Sequence, residues 1–182
     1  MTRKKRPDSP GARAGDEIAA MIRVDHAGEY GAVRIYEGQL AVLGASPAAE
    51  TIRRMAKQEE RHLETFDRLI VERRVRPTAL EPVWRVAGFA LGAATALLGE
   101  KAAMACTAAV EEVIDEHYAG QIEKLGDSDR ELKATVADFR ADEIAHRDEA
   151  MAQGAQQAPG YRILSETIKA GCRIAIALST RI

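Results

Sequence analysis

Glu59-Glu60-Arg61-His62 and, eighty-four positions later, Glu143-Ile144-Ala145-His146 are the two stretches that decide how the rest of the chain folds. A spacing of three residues places a carboxylate and an imidazole on one helix face, about one turn apart. A single Glu-x-x-His is common by chance. Here each pair sits within the apolar stripe of its helix. Glu59 lies four after Met55 and four before Leu63, and Glu143 lies four after Phe139 and seven after Val136. A carboxylate on such a face is costly to bury unless a cation compensates it.

The helices upstream complete the pattern. Glu29 stands thirty residues before Glu59, seven after Ile22 and seven before Tyr36. Glu111 stands 32 residues before Glu143 and seven before Tyr118. The same unit therefore occurs twice: a Glu, about thirty residues, then Glu-x-x-His. Each unit reads as a helical hairpin. Pairing two of them turns four carboxylates and two imidazoles inward, the ligand set of di-iron and di-manganese carboxylate bundles. One such Glu taken alone is as well explained as a surface residue. Six residues in a doubled pattern on four core stripes are not.

Oxygen donors with one imidazole per metal suit iron or manganese, whereas zinc more often recruits thiolates or three nitrogens. In bundles of this kind the Glu-x-x-His carboxylates bridge the metals, so Glu59 and Glu143 are expected as bridges and Glu29 and Glu111 as terminal ligands. Each ligand histidine should donate its other ring nitrogen to an acceptor, with Asp25, Asp115 and Asp142 as candidates. His26 shares the Glu29 face and reads as a core or supporting residue rather than a ligand. Tyr118 lies on the metal face, as plain packing or as a redox neighbour. Glu60 and Glu112 are rotated off that face toward solvent.

Hydrophobic residues make up 46% of the 182 residues and aromatics only 4%, and alanine is abundant, which favours helix over sheet. Helices are expected over about 16–43, 47–74, 100–125, 128–153 and 161–179, the second with Ser46-Pro47 as N-cap and first-turn proline. Between the second and third lies an apolar segment over 82–98 in which only Arg85 is charged. The order gives an all-α fold: a ferritin-like four-helix bundle with an apolar crossover helix and an extra C-terminal helix. One domain is expected over 16–182, behind a disordered basic leader over 1–15 that carries Arg3-Lys4-Lys5-Arg6. A contact of that run with anionic lipid is the lesser reading. No run of about 18 strongly apolar residues occurs, so no spanning helix is expected. The net charge of −2 gives no ground for nucleic-acid binding. Cys106 and Cys172 read as buried free thiols.

A metal site alone does not choose between storing iron, reducing peroxide and activating oxygen. The surrounding residues resemble a known family. Arg23-Val24-Asp25-His26-Ala27-Gly28-Glu29-Tyr30-Gly31-Ala32, followed by Arg34-Ile35-Tyr36, is similar to the first-helix signature of the demethoxyubiquinone hydroxylases. Arg74-Val75-Arg76-Pro77-Thr78, Gly88-Phe89-Ala90-Leu91-Gly92, Ala103-Met104-Ala105-Cys106-Thr107, Ala109-Val110-Glu111-Glu112 and Ala170-Gly171-Cys172-Arg173 extend the resemblance from about residue 20 to the end.

The resemblance implies O2-dependent hydroxylation of a polyprenyl methoxy-benzoquinol ring in ubiquinone biosynthesis, with two iron ions at the six ligand positions. It also implies external electrons, with NADH as a donor. No glycine-rich dinucleotide fingerprint is present, which excludes a nicotinamide- or flavin-binding domain of that type within the chain. Because a polyprenyl tail partitions into lipid, Trp84, Phe89, Leu91 and Leu97 are candidates for a membrane or substrate surface, with Arg85 at headgroup level. The competing reading packs this segment as a core crossover helix, and its apolar side also suits a second copy of the chain or an accessory lipid-binding protein. The expected location is peripheral, on the cytoplasmic side of a bacterial inner membrane, ahead of the matrix side of a mitochondrial inner membrane.

Overall fold

The helical periods resolve into six α-helices. The computed structural model describes residues 10–182, with side chains from residue 15 onward. The elements are α1 (Pro10–Leu43), α2 (Ala49–Glu72), α3 (Glu81–Leu97), α4 (Glu100–Leu125), α5 (Arg130–Ala152), a 3-10 turn at Ala155–Gln157 and α6 (Tyr161–Ser179). No strand occurs among the described residues.

Helices α1 and α2 form one hairpin and α4 and α5 the other, and the two pair as a ferritin-like bundle. Gln39, Tyr36 and Asp25 of α1 meet Thr107, Glu111 and Gln121 of α4, so these helices are antiparallel. Arg54, Gln58 and Arg61 of α2 meet Glu149, His146 and Asp142 of α5 in the same reversed order. The crossover α3 runs parallel to α1 and packs along it. The last helix, α6, runs parallel to α4, tied to it by Lys169–Glu112 at 2.7 Å and Arg173–Glu116 at 3.1 Å.

The buried stripes explain this arrangement. On α2 they are Ile52, Met55, Glu59, His62, Phe66 and Leu69, and on α5 Leu132, Val136, Phe139, Glu143, His146 and Ala150, at alternating spacings of three and four. Helix α4 behaves differently: every residue from Ala102 to Val110 is buried. Five of these nine are alanine, so neighbours can approach from all sides, and a helix that is apolar all round is the one at the centre. The α5 start is fixed by Asp129, whose side chain accepts from the Leu132 N–H at 3.0 Å, a cap that stabilises by about 1 kcal/mol.

Several expectations from sequence shift. The expected leader over 1–15 lies outside the described residues as far as residue 9, and positions 10–15 belong to α1. Ser46 and Pro47 do not cap α2. Its N-cap is Ala48, without a side-chain bond, because residues 44–47 form a turn in which Ser46 accepts from Ala49 through its backbone oxygen. Leu63 and Ile70, expected on the core face of α2, are half-buried, and Leu69 is buried instead. The short 3-10 turn had no sequence signal.

The α1–α3 contact depends on glycine. A Cβ at Gly92 would overlap the Ile35 carbonyl, and one at Gly38 would overlap the Phe89 carbonyl and lie 2.7 Å from the Ala93 nitrogen. Gly92→Ala should therefore force the two helices apart and destabilise the fold by about 1–3 kcal/mol. Gly120→Ala, where nothing lies within 4 Å of the new carbon, should instead stabilise by about 0.5–1 kcal/mol through helix propensity. Chemical denaturation of the two variants checks both signs.

Candidate metal centre

One ligand helix comes from each quarter of the bundle: Glu29 from α1, Glu59 and His62 from α2, Glu111 from α4, and Glu143 and His146 from α5. All six side chains are at most 3% exposed. They form two overlapping groups, Glu29–Glu59–His62–Glu143 and Glu59–Glu111–Glu143–His146, with one donor atom of each residue within 4.8 Å of the others in its group. Glu59 and Glu143 belong to both. Apolar clusters close the site at either end. Ile52, Met55 and Met104 lie on one side, and Ile22, Phe66, Phe139 and Leu125 on the other. Phe139 stacks on the His62 ring with centroids 3.9 Å apart.

Both imidazoles turn Nδ1 into the carboxylates. His62 Nδ1 is 3.1 Å from Glu143 and 3.5 Å from Glu29, and His146 Nδ1 is 3.0 Å from Glu59 and 3.2 Å from Glu143. Two tyrosines orient the remaining carboxylates across the α1–α4 seam. Tyr36 donates to Glu111 at 3.0 Å, and Tyr118 donates to Glu29. Each tyrosine stands seven residues after the Glu of its own helix and serves the Glu of the other, so the doubled sequence unit is a doubled structural unit.

Without a cation, protons must hold this cluster together. Burial, reinforced by Glu143, pushes Glu59 and Glu111 well above the usual carboxylate range. Burial also pushes Glu143 up, but hydrogen bonds from His146 and His62 outweigh it and bring it to about 2. For the imidazoles burial favours the neutral ring. The adjoining carboxylates reverse this, raising His62 to about 11 and His146 to about 9. Even so, His62 Nδ1 and Glu59 Oε1 are buried and make only poorly aligned contacts, at 3.1 Å to Glu143 and 3.0 Å to His146, with no well-formed hydrogen bond among the described residues. Such atoms are rare in folded proteins. Four carboxylates would exactly balance two divalent cations, which makes the donor set, its burial and its charge fit a two-metal site.

Of the three aspartates offered as partners for the ligand histidines, only Asp142 touches one: it lies 3.1 Å from His62 Nε2. Asp25 is engaged by His117 at 3.0 Å and Gln121 at 2.6 Å, and Asp115 by Arg140 at 2.7 Å and Arg147 at 3.1 Å. The partner of His146 is Gln58 at 3.1 Å, a residue the sequence reading passed over. Its signal was available, since Gln58 and Asp142 both directly precede the Glu of their motifs. His26 bonds Asp67 at 2.9 Å, Glu60 faces solvent, and Glu112 pairs with Lys169.

A cavity of about 410 Å³ opens beside the cluster between α1, α3, α4 and α6. Gly28, Gly31 and Ala32 form one wall, Trp84 and Leu91 another, Val110 and Ile114 the third, and Cys172 and Ile176 the fourth. Gly28 and Val110 are the immediate neighbours of Glu29 and Glu111. Of the surface residues expected on α3, Trp84 and Leu91 thus turn to the cavity, and Trp84 donates to Ser179 at 3.0 Å. Phe89 and Leu97 are exposed. Both cysteines are free thiols, and burial raises Cys172, on the cavity wall, to about 11.

Residues 16–179 match the family described as ubiquinone biosynthesis protein COQ7. The chain belongs to that family. It is 59% identical over 166 residues to the 3-demethoxyubiquinol 3-hydroxylase of Rhodospirillum rubrum, covering 91% of this chain and 78% of that protein. It is 52% identical over 169 residues to the human protein named NADPH-dependent 3-demethoxyubiquinone 3-hydroxylase, mitochondrial, covering 91% and 78%. With the 5-demethoxyubiquinone hydroxylase, mitochondrial, of Saccharomyces cerevisiae it shares 41% over 179 residues, covering 89% and 77%. These relatives give the buried cluster of this family member a setting among quinone-modifying hydroxylases.

The proton balance predicts how metal-free protein responds to pH. His146 and His62 hold protons more tightly folded than unfolded. Their stabilisation is complete below the ordinary imidazole value of 6.5 and is lost as pH rises through about 9 and then about 11. Ionising the raised Glu59 and Glu111 acts in the same direction. The melting temperature of chelator-treated protein should therefore fall steadily from pH 6.5 to 9, and metal-loaded protein should lack that slope. A flat or rising profile for the metal-free form would contradict the assignment.

Proposed function

We propose that this chain hydroxylates the ring of a polyprenyl methoxy-benzoquinol, demethoxyubiquinol, in ubiquinone biosynthesis, using O2 and two iron ions. The ions would be held by Glu29, Glu59, His62, Glu111, Glu143 and His146, with Glu59 and Glu143 as bridges because both belong to each donor group. The observation that carries the reading is the apolar cavity between α1, α3, α4 and α6, whose walls include Gly28 and Val110, the chain neighbours of Glu29 and Glu111. Its volume falls within the usual range of small-molecule sites, about 300–1,000 Å³.

When bound, the iron pair supplies the redox capacity that lets O2 react with a closed-shell organic ring. The protein supplies the rest. One oxygen atom enters at a ring C–H and the other leaves as water, consuming two electrons and two protons. The walls from Gly28 to Ile176 hold the ring and the start of its tail against the α1–α4 side of the cluster and keep water out. Tyr36 and Tyr118 fix the carboxylates of Glu111 and Glu29 on that side. The electrons come from an external donor of the reduced nicotinamide class, NADH as the family resemblance implies or NADPH as the human relative is named.

Delivery of the tail is assigned to the outer edges of α3 and α6. Val86, Leu97, Ile163 and Ile174 are 61–76% exposed, and no described helix is long and apolar enough to cross a membrane. The exposed apolar edges support peripheral contact with a bilayer; the cytoplasmic side of a bacterial inner membrane is proposed from the lipid nature of the substrate alone. A second copy of the chain or an accessory lipid-binding protein would cover the same edges.

In a strain lacking the gene, the demethoxy precursor should accumulate. The wild-type chain should clear it and Glu59→Ala should not, as read by mass analysis of extracted quinones. Gly31→Leu, which fills the cavity from a position with nothing within 4 Å of its Cβ, should retain metal but lower kcat/KM by about a hundredfold. Unchanged ubiquinone in the deletion strain would sink the proposal. Uptake of many irons per chain without quinol turnover would favour storage.

A further inference from the structure

Both ligand histidines turn Nε2 away from the carboxylates, and both Nε2 atoms end on one chain of hydrogen bonds. His146 Nε2 is 3.1 Å from Gln58 Oε1, Gln58 Nε2 is 3.4 Å from Asp142 Oδ1, and Asp142 Oδ2 is 3.1 Å from His62 Nε2. Arg61 also donates to Asp142 Oδ2. Along these three links every donor meets an acceptor when both histidines carry a hydrogen on Nε2; Arg61 Nη2, also 3.4 Å from His62 Nε2, then gives its hydrogen to Asp142 rather than to the ring. An ionised carboxylate only accepts, so Gln58 must turn its amide nitrogen to Asp142 and its oxygen to His146. Each histidine then carries an N–H on Nε2, so that when a cation replaces the proton on Nδ1 it is the Nδ1 lone pair that faces the cluster.

Gln58 and Asp142 occupy equivalent places in the two motifs, and each reaches across to the histidine of the other helix. Asp142 of α5 serves His62 of α2, and Gln58 of α2 serves His146 of α5. The geometry is duplicated but the chemistry is not. One imidazole donates to a carboxylate, the other to a neutral amide. A charged acceptor makes the stronger bond and leaves the ring a better electron donor at its other nitrogen.

We infer that Asp142 and Gln58 are positioning residues that make the two metal positions unequal, the position on Glu29 and His62 binding more tightly than the position on Glu111 and His146. This rests on the two-metal reading above. It concerns residues that lie on the α2–α5 side of the cluster, opposite the cavity, and that do not touch substrate.

The test is anaerobic titration of chelator-treated full-length protein with Co(II), followed by visible absorption and calorimetry. Wild type should bind in two steps of unequal affinity. Asp142→Ala should weaken the tighter step by about 10- to 100-fold and leave the other nearly unchanged, and Gln58→Ala should do the reverse. Glu29→Gln should abolish the same step that Asp142→Ala weakens, which identifies the side. Asp142→Ser, also uncharged, substitutes should the alanine variant not fold, and metal-free melting curves report that directly. Two equal steps in wild type, or equal weakening of both steps by either variant, would overturn the inference and leave the two-metal reading standing. No Co(II) binding by wild type would overturn both.

Discussion

Four carboxylates in the dry middle of a helical bundle are the constraint on which the remainder of this structure depends. Ionised, they repel one another and have lost their water. Protonated, they surrender the charge that makes them useful. The metal-free chain meets the problem with protons, shared between raised glutamates and raised imidazoles around a single low carboxyl at Glu143. That solution leaves Glu59 Oε1 and His62 Nδ1 with poorly aligned contacts only. Two divalent cations would answer both the charge and these two atoms. The apolar layers above and below the cluster make this a strong requirement, because they exclude the water that would otherwise screen it.

The same requirement explains why the centre was legible in sequence. Glu59, His62, Glu143 and His146 interrupt stripes that are otherwise Ile, Met, Phe and Val, and that interruption is visible without coordinates. Helix α4 begins and ends beside Gly99 and Gly126, and α6 begins beside Gly160. Features that depend on how helices meet were not legible. The phase error at Leu69 and Ile70 arose because both are apolar and adjacent, and only the rotation of α2 against α5 chooses between them. Ser46-Pro47 carries a start signal, but the turn after α1 uses the Ser46 backbone oxygen and delays α2 to Ala49. Gln58 escaped notice because an amide is an unremarkable neighbour of Glu until α5 brings His146 to within 3.1 Å of it.

Glycine placement links the fold to the cavity. A helix as long as α1 loses about 1 kcal/mol for each interior glycine, yet it carries Gly28, Gly31 and Gly38 in its central turns. Gly38 is explained by α3, whose backbone occupies the space a side chain would need. Gly28 and Gly31 have no such neighbour. Nothing lies within 4 Å of their missing Cβ atoms, and both line the cavity. One helix therefore uses the same residue for opposite ends, to admit a neighbouring backbone at one level and to leave room at another.

The duplicated hairpin gives the centre two unlike faces. Glu29 and Glu111 come from α1 and α4, the bundle helices that α3 and α6 cover, and their chain neighbours Gly28 and Val110 line the apolar cavity. His62 and His146 come from α2 and α5, and their outward nitrogens look onto Gln58, Asp142 and Arg61, a polar chain with access to solvent. A ring held in the cavity would meet the cluster from one direction only, while the polar groups on the histidine side would lie out of its reach. Addition of α3 and α6 to one side of a nearly symmetric bundle is thus sufficient to separate substrate from the groups that tune the site. The sequence change at the residue preceding each Glu-x-x-His, Gln58 in one motif and Asp142 in the other, carries that asymmetry from the outside of the bundle to the donor atoms themselves.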